Sequence, residues 1–338
     1  MSVAALWTGV DRLIDGARSP HDLRAHGLHL LAVRRWRSLG IDIPRSLVEG
    51  ERNASFVALS APLVLEQVRT ACAGPIVVIK GPELAMRYPD PALRPYGDLD
   101  LLVEDADAAH AALVAAGFTP HGDRDPSTLH HLQPLQSPRF PVRVEVHVGP
   151  SWLQGMNAPE LADLLDGATP THAGVDGILA PAPAQHAVLV AVHAWVHEPI
   201  GRISQLLDAL LLRAECEGAE IEALAERWGV GRVWSTTVEA GEGLFLDRKV
   251  RATLRPPLRR LQRVEERTVL ESHAYRTFAP FWALPAPSAT RSVGDRLGRT
   301  IRPKPGERWR DKLARIWRAI WHARMGRGRH ERRIGFRR

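Results

Sequence analysis

Asp98-Leu99-Asp100-Leu101-Leu102-Val103 is the stretch on which the reading of this chain turns. Two acids alternate with leucine and an apolar run follows, the pattern of a short strand whose first turn of side chains meets solvent. Residues two apart on a strand share a face, so Asp98 and Asp100 project together while Leu99, Leu101 and Val103 face a core. Paired carboxylates repel, each raising the other's pKa unless a cation lies between them. Magnesium, a hard ion that takes oxygen ligands and keeps waters for substrate phosphates, suits such a pair, with manganese as the other candidate.

Upstream, the β-branched run Pro75–Ile79 predicts a strand that ends in Lys80-Gly81, and a short helix follows over Pro82–Met86. A glycine there lets backbone approach a phosphate, and a helix start offers free N–H groups. Lys80 would add a point charge for a triphosphate. Arg94, in the proline-rich loop Tyr88–Gly97, can reach the same phosphates. The plainer reading of both is a solvated lysine at a strand end and an ordinary loop arginine. Downstream, Asp105–Ala116 reads as a helix closed by Gly117. Phe140–Val148 then alternates, with Phe140, Val142, Val144, Val146 and Val148 on one face and Arg143, Glu145 and His147 on the other, as in a half-buried strand. If that strand lies beside the first, Glu145 joins Asp98 and Asp100 at one point, as two-metal phosphoryl transfer requires. If it does not, the aspartates are a solvated turn pair and Glu145 sits on an exposed sheet face.

The run Val78-Ile79-Lys80-Gly81, then Tyr88, Arg94, Asp98-Leu99-Asp100-Leu101-Leu102-Val103, Gly117-Phe118 and Val144-Glu145-Val146-His147, resembles the uncharacterised bacterial nucleotidyltransferase family of the DNA polymerase β superfold. The resemblance implies that Asp98 and Asp100 hold magnesium, that Glu145 completes the site and that Gly81 contacts the nucleotide phosphates. Lys-Gly stands here where broader relatives carry Gly-Ser. The likeness covers roughly residues 55–250 and leaves residues 1–50 and the C-terminal tail outside it.

The remaining sequence frames this unit. A length of 338 residues is about twice the ~150 of an average domain, and 45% apolar with 25% charged residues is globular usage. The expected organisation is α+β: a helical region over 1–54, a small mixed β-sheet catalytic unit flanked by helices over 55–150, a helical bundle over 151–275, and a basic tail with an amphipathic helix over 276–338. Two cysteines, Cys72 and Cys216, supply neither a disulfide framework nor a zinc knuckle. With no charged leader and no long apolar run, a cytoplasmic protein is expected. His186, His193 and His197 share one helical segment. The last two are spaced i, i+4, which suits zinc, but without a third ligand at suitable spacing they read as core or site-lining residues. His193, with Arg202 and Asp208 nearby, is a candidate lining of the nucleotide cleft.

Charge is uneven. From Arg291 to Arg338 there are 17 Lys and Arg against four acids, within a chain whose overall net charge is +7. Trp309, Leu313, Ile316, Trp317, Ile320 and Trp321 recur there at helical spacing among Arg310, Lys312, Arg315, Arg318 and Arg324. Such a helix packs on the protein's own body, lies on an anionic membrane, docks a partner protein, or, less in keeping with its tryptophans, contacts nucleic acid.

The expected reaction is magnesium-dependent transfer of a nucleoside monophosphate from a nucleoside triphosphate, ATP among them, to a hydroxyl acceptor in a small molecule, peptide or protein. Substituting Asn for Asp98 or Asp100 should remove most of the activity and leave the melting temperature similar or higher, through relief of repulsion. Three rival readings share the Asp-x-Asp pattern or the fold. A metal-dependent glycosyltransferase would carry a larger α/β domain ahead of Asp-x-Asp, and a haloacid-dehalogenase-type phosphatase would not have Leu102 where it stands. A catalytically inactive nucleotidyltransferase-like binding or antitoxin module, acting through the tail, is the non-enzymatic alternative.

Overall fold

The computed structural model describes residues 1–122, 130–153, 156–303 and 307–324. Four helices open the chain: α1 (Val3–Gly16), α2 (Pro20–Ala25), α3 (His29–Ser38) and the long α4 (Arg45–Ala71). The α/β segment follows as β1 (Ile76–Val78), α5 (Pro82–Ala85), β2 (Asp98–Val103), α6 (Ala106–Ala115), β3 (Thr119–Pro120), β4 (Leu135–Gln136) and β5 (Arg143–His147). Next come α7 (Leu161–Leu165), β6 (Thr169–Pro170), β7 (Leu179–Ala180) and the helices α8 (Pro183–His197), α9 (Ile203–Arg213), α10 (Gly218–Arg227) and α11 (Gly231–Phe245). The chain continues through α12 (Arg255–Gln262), α13 (Val269–Phe278), α14 (Pro280–Ala283), α15 (Ala286–Ile301) and α16 (Trp309–Arg324).

One mixed sheet, in the order β3-β4-β5-β2-β1-β7-β6, organises the α+β fold. β2 runs antiparallel to β1 and parallel to β5. The alternation in β2 and β5 sets what each face meets. Leu99, Leu101, Val103, Val144 and Val146 join Ile76 and Val78 against α4 (Val57, Ala61, Val64, Leu65, Val68) and α6 (Ala106, Ala109, Leu113). On the opposite face Val77, Ile79 and Leu102 pack with Leu164 of α7 and Leu189 of α8. The sheet is thus enclosed between two helical layers, and α8 is the layer that lies over the acidic face. Asp105 caps α6 by accepting from the Ala108 N–H, and Gly117, at φ +95°, closes it.

Several departures from the sequence reading have local causes. α4 starts at Arg45 and runs unbroken across the boundary expected between residues 54 and 55. The strand expected from Phe140 begins only at Arg143. Within the bundle expected up to residue 275, α12 and α13 are separated where Val264 takes a positive φ. β3, β4, β6 and β7 are two-residue strands, too short to carry any periodicity, and the last two lie beyond Pro150, where a purely helical region was expected. The N-terminal helices share their core with the later ones: Leu6, Val10, Leu23, Leu30 and Leu31 pack with Val188, Leu207, Leu210 and Phe245. The basic amphipathic helix forms as α16, but its apolar stripe does not pack on the protein's own body. Trp309 is 56% exposed, Trp317 69% and Trp321 50%. The side chains of Arg324 and of the basic residues beyond it lie outside the described residues.

Candidate active site

Parallel pairing of β2 with β5 matches Asp98 with Arg143, Asp100 with Glu145 and Leu102 with His147. Directly paired residues point the same way, so Asp98, Asp100, Glu145 and His147 share the face that α8 covers. Glu145 therefore does meet the two aspartates. Burial deepens along the strand: the Asp98 side chain is 36% exposed, with Arg143 Nη2 3.8 Å away, whereas Asp100 is 1% exposed. The mouth of the site is at the Asp98–Arg143 end.

β1 delivers Lys80. The Ile79 N–H donates to the Asp100 carbonyl (3.1 Å), after which the chain turns and Lys80 Nζ reaches Asp100 Oδ1 (2.7 Å). The same ammonium donates to Nε2 of His193 from α8 (3.0 Å). His147 Nε2 lies 3.0 Å from the same Asp100 oxygen. An ionised carboxylate only accepts, so His147 carries its proton on Nε2 and donates. The other carboxylate oxygen, Asp100 Oδ2, is buried with no hydrogen-bond partner. A buried charged acceptor left unpaired is costly.

Electrostatics separates the two facing acids. Burial alone would push the Asp100 carboxyl up, but the Lys80 ammonium and the His147 hydrogen bond outweigh it and hold the group well below the usual carboxylate range. Glu145 moves the other way, raised by burial and by the charges of Asp100 and Asp98. Histidines crowd the pocket. His130, His131 and His147 approach one another at ring-centroid distances of 4.8 to 5.7 Å, and His193 and His197 lie 4.3 Å apart. Burial, with neighbouring imidazoles and Lys80, depresses His130 and His197 to about 4, and His193 well below its ordinary value. All three are neutral near pH 7.

A divalent ion fits the donors present. Ligand atoms of Asp100, Glu145 and His147 lie within 4.8 Å of one another, and Asp98 stands one strand step away on the same face. Two carboxylates suit magnesium or manganese, and the His147 imidazole joins them only through a ring nitrogen that has given up its proton. The bare Oδ2 of Asp100 is the acceptor such an ion would satisfy.

Gly81 holds φ +66° and ψ −123°, a conformation open to glycine, and a Cβ there would stand 2.9 Å from the Asp98 carbonyl oxygen. The backbone thus passes tightly beside the aspartate strand. The one-turn helix α5 begins at Pro82, which has no N–H to offer a phosphate. Arg94 is buried and already engaged: Nε and Nη2 donate to Asp208 of α9 (3.1 and 2.9 Å), and Nη1 reaches the Gly81 carbonyl at 3.5 Å. Tyr88 also donates to Asp208 (2.9 Å). This cluster clamps the loop that carries Gly81. Arg202 lies among the N-terminal helices and donates to the Ala25 carbonyl (3.0 Å). A wider surface groove between α1 and the end of α11 holds the Arg12–Asp247 ion pair but nothing resembling the paired carboxylates.

Sequence reasoning placed His147 on the polar face without assigning it to the site, although the i, i+2 relation to Glu145 points there. His130 and His131 sit in a connection with no pattern, and only the isolated bridge His131↔His147 brings them in.

A model of the uncharacterised nucleotidyltransferase family matches residues 23–239. The chain belongs to that family. The match begins well before residue 55, where the resemblance was expected to start, and ends before 250. The helices from residue 23 on are therefore part of the family unit, in keeping with the core they share with α8 and α9. Comparison with curated proteins finds no match. Family membership supports general nucleotidyl transfer at the level of the family, and the carboxylate–histidine cluster is compatible with a bound divalent cation.

Proposed function

We propose that the chain transfers a nucleoside monophosphate from a nucleoside triphosphate to a hydroxyl acceptor, with its chemistry on the β2–β5 face. The observation that carries this reading is the in-register pairing of Asp100 with Glu145, with Asp98 two residues earlier on the same face. Asp98, Asp100 and Glu145, with His147 adjoining, would hold the divalent ion, which when bound neutralises triphosphate charge and acidifies the acceptor hydroxyl. Lys80 supplies a positive charge beside the phosphates, and Gly81 lets the backbone approach them. Arg94 acts through Gly81, whose carbonyl it holds, as a positioning residue. The acceptor oxygen attacks the α-phosphorus, the bond to the β-phosphate breaks, and pyrophosphate leaves. The acceptor proton goes to the Glu145 carboxylate, which burial and acidic neighbours make the more basic of the facing pair. Positioning and charge neutralisation account for most of the acceleration in such a site.

One observation favours a second reading, a nucleotide-binding module without transfer: the Lys80 ammonium already neutralises Asp100 from within the fold. The test is incubation with α-labelled nucleotides, magnesium or manganese, and cell extract, with label and pyrophosphate followed together. Label on an acceptor with stoichiometric pyrophosphate, absent in Asp98→Asn and Glu145→Gln, supports transfer. Nucleotide binding with neither product supports the module.

A further inference from the structure

We propose that α16 is a peripheral membrane anchor that lies in the interface of an anionic lipid bilayer. At 100° per residue, Trp309, Leu313, Ile316, Trp317, Ile320 and Trp321 fall on one arc of about 140°. That arc is open: Leu313 is 59% exposed and Trp317 69%. The helix rests on α13 by another flank, where Lys312 is buried. Exposed Arg308, Arg315 and Arg318 lie outside that arc, and exposed Arg310 falls within it between Trp317 and Trp321. Nearby α13 and α14 expose Phe278 and Phe281, whose rings stack at 6.5 Å.

Charge selects the occupant. From Arg291 onward 17 basic residues stand against four acids, so a second copy brings the same excess of positive charge to the contact and is repelled. Nucleic acid would satisfy the arginines and stack on tryptophan, yet leave Leu313, Ile316 and Ile320 in water. An anionic bilayer satisfies both sets: tryptophan rings at the headgroup level, aliphatic side chains at the acyl boundary, guanidinium groups on lipid phosphates. Among the described residues no helix is long and apolar enough to cross a membrane, so α16 lies on the surface and does not span it.

The test uses the full chain at ~0.1 M salt, sedimented with vesicles of phosphatidylcholine alone or with 30% phosphatidylglycerol. The anionic vesicles should bind it roughly 100-fold more tightly, since each basic residue near such a surface contributes roughly fivefold. The triple variant Trp309→Ser, Trp317→Ser, Trp321→Ser should lose most of that binding while its melting temperature stays unchanged, because the rings are solvent-exposed. Arg310→Gln with Arg315→Gln and Arg318→Gln should erase the preference for phosphatidylglycerol. Equal sedimentation with and without vesicles, binding that survives the tryptophan substitutions, or a tryptophan-dependent dimer in sedimentation velocity in place of vesicle binding would each overturn the proposal.

Discussion

Replacing Asp100 by Asn tests the site where its physics is sharpest. Reasoning from two repelling aspartates predicts a protein as stable as the original, or more so. The structure reverses that expectation for Asp100, because its carboxylate faces Lys80 Nζ at 2.7 Å with side chains 1% and 19% exposed. Removing one partner of a buried ion pair costs about 3–5 kcal/mol, because the other charge is left without compensation. Lys80 keeps a little solvent and its contact with His193, and the Asn oxygen still accepts from His147, so a loss of about 2–3 kcal/mol is expected. For a domain of ~200 residues, 2 kcal/mol corresponds to a fall of about 4–8 °C in melting temperature. Lys80→Met should cost a similar amount. The double variant should fall short of the sum by about 2 kcal/mol, since each single change already removes the pair. The folded-state pKa of Asp100 is depressed, so its stabilisation is complete above the unfolded value of ~3.9 and is lost as pH falls from there towards the folded value. The deficit of Asp100→Asn should accordingly be constant from pH 5 to 8 and shrink only in stronger acid. Melting curves for the four proteins, read against pH, decide it. An Asp100→Asn protein that melts at or above the original, with effects additive to Lys80→Met, would refute the pairing.

Glu145→Gln should do the opposite to stability at pH 7, leaving the melting temperature equal or up to a few degrees higher. Its raised pKa means the charged form is disfavoured in the fold, so this gain should fade as pH drops through the folded pKa, while label transfer is abolished. Manganese or magnesium added at ~100 times its dissociation constant should stabilise the original protein by about 2.7 kcal/mol and the Glu145→Gln protein by much less, read as a melting shift without substrate. Gly81→Ala should cost about 1–3 kcal/mol and raise the apparent KM for nucleotide, because φ +66° and a Cβ 2.9 Å from the Asp98 carbonyl both oppose it; a neutral Ala would mean that the turn is not constrained. His186, depressed by burial and Arg87 to about 3, and His193 stay neutral in the fold while the unfolded chain protonates near 6.5. Each then removes up to about 1.4 kcal/mol per pH unit as pH falls below ~6.5, and a melting temperature flat from pH 7 to 5 would contradict this.

What could be read without coordinates was local. Period-two alternation marked β2 and the inner half of β5, because such a pattern records which side of one element meets water. The two-residue strands left no trace, since two residues define no period. Arg94 read as a free phosphate contact because its partner, Asp208, comes from a helix far along the chain, and no spacing rule links a loop to α9. His147 was visible on the polar face, yet its hydrogen bond to Asp100 depends on the neighbouring strand.

The amino-acid order by itself determined which side chains share a face: the two aspartates on one strand, Glu145 with His147 on another, the tryptophans along one side of α16. Those are consequences of backbone geometry within a single element. Tertiary structure alone decided that the two strands lie parallel and in register, that Lys80 neutralises Asp100 beneath α8, and that the tryptophan stripe stays uncovered. Each of these depends on how separate elements pack, and burial, which raises Glu145 and lowers His130, His193 and His197, comes into being only when they do.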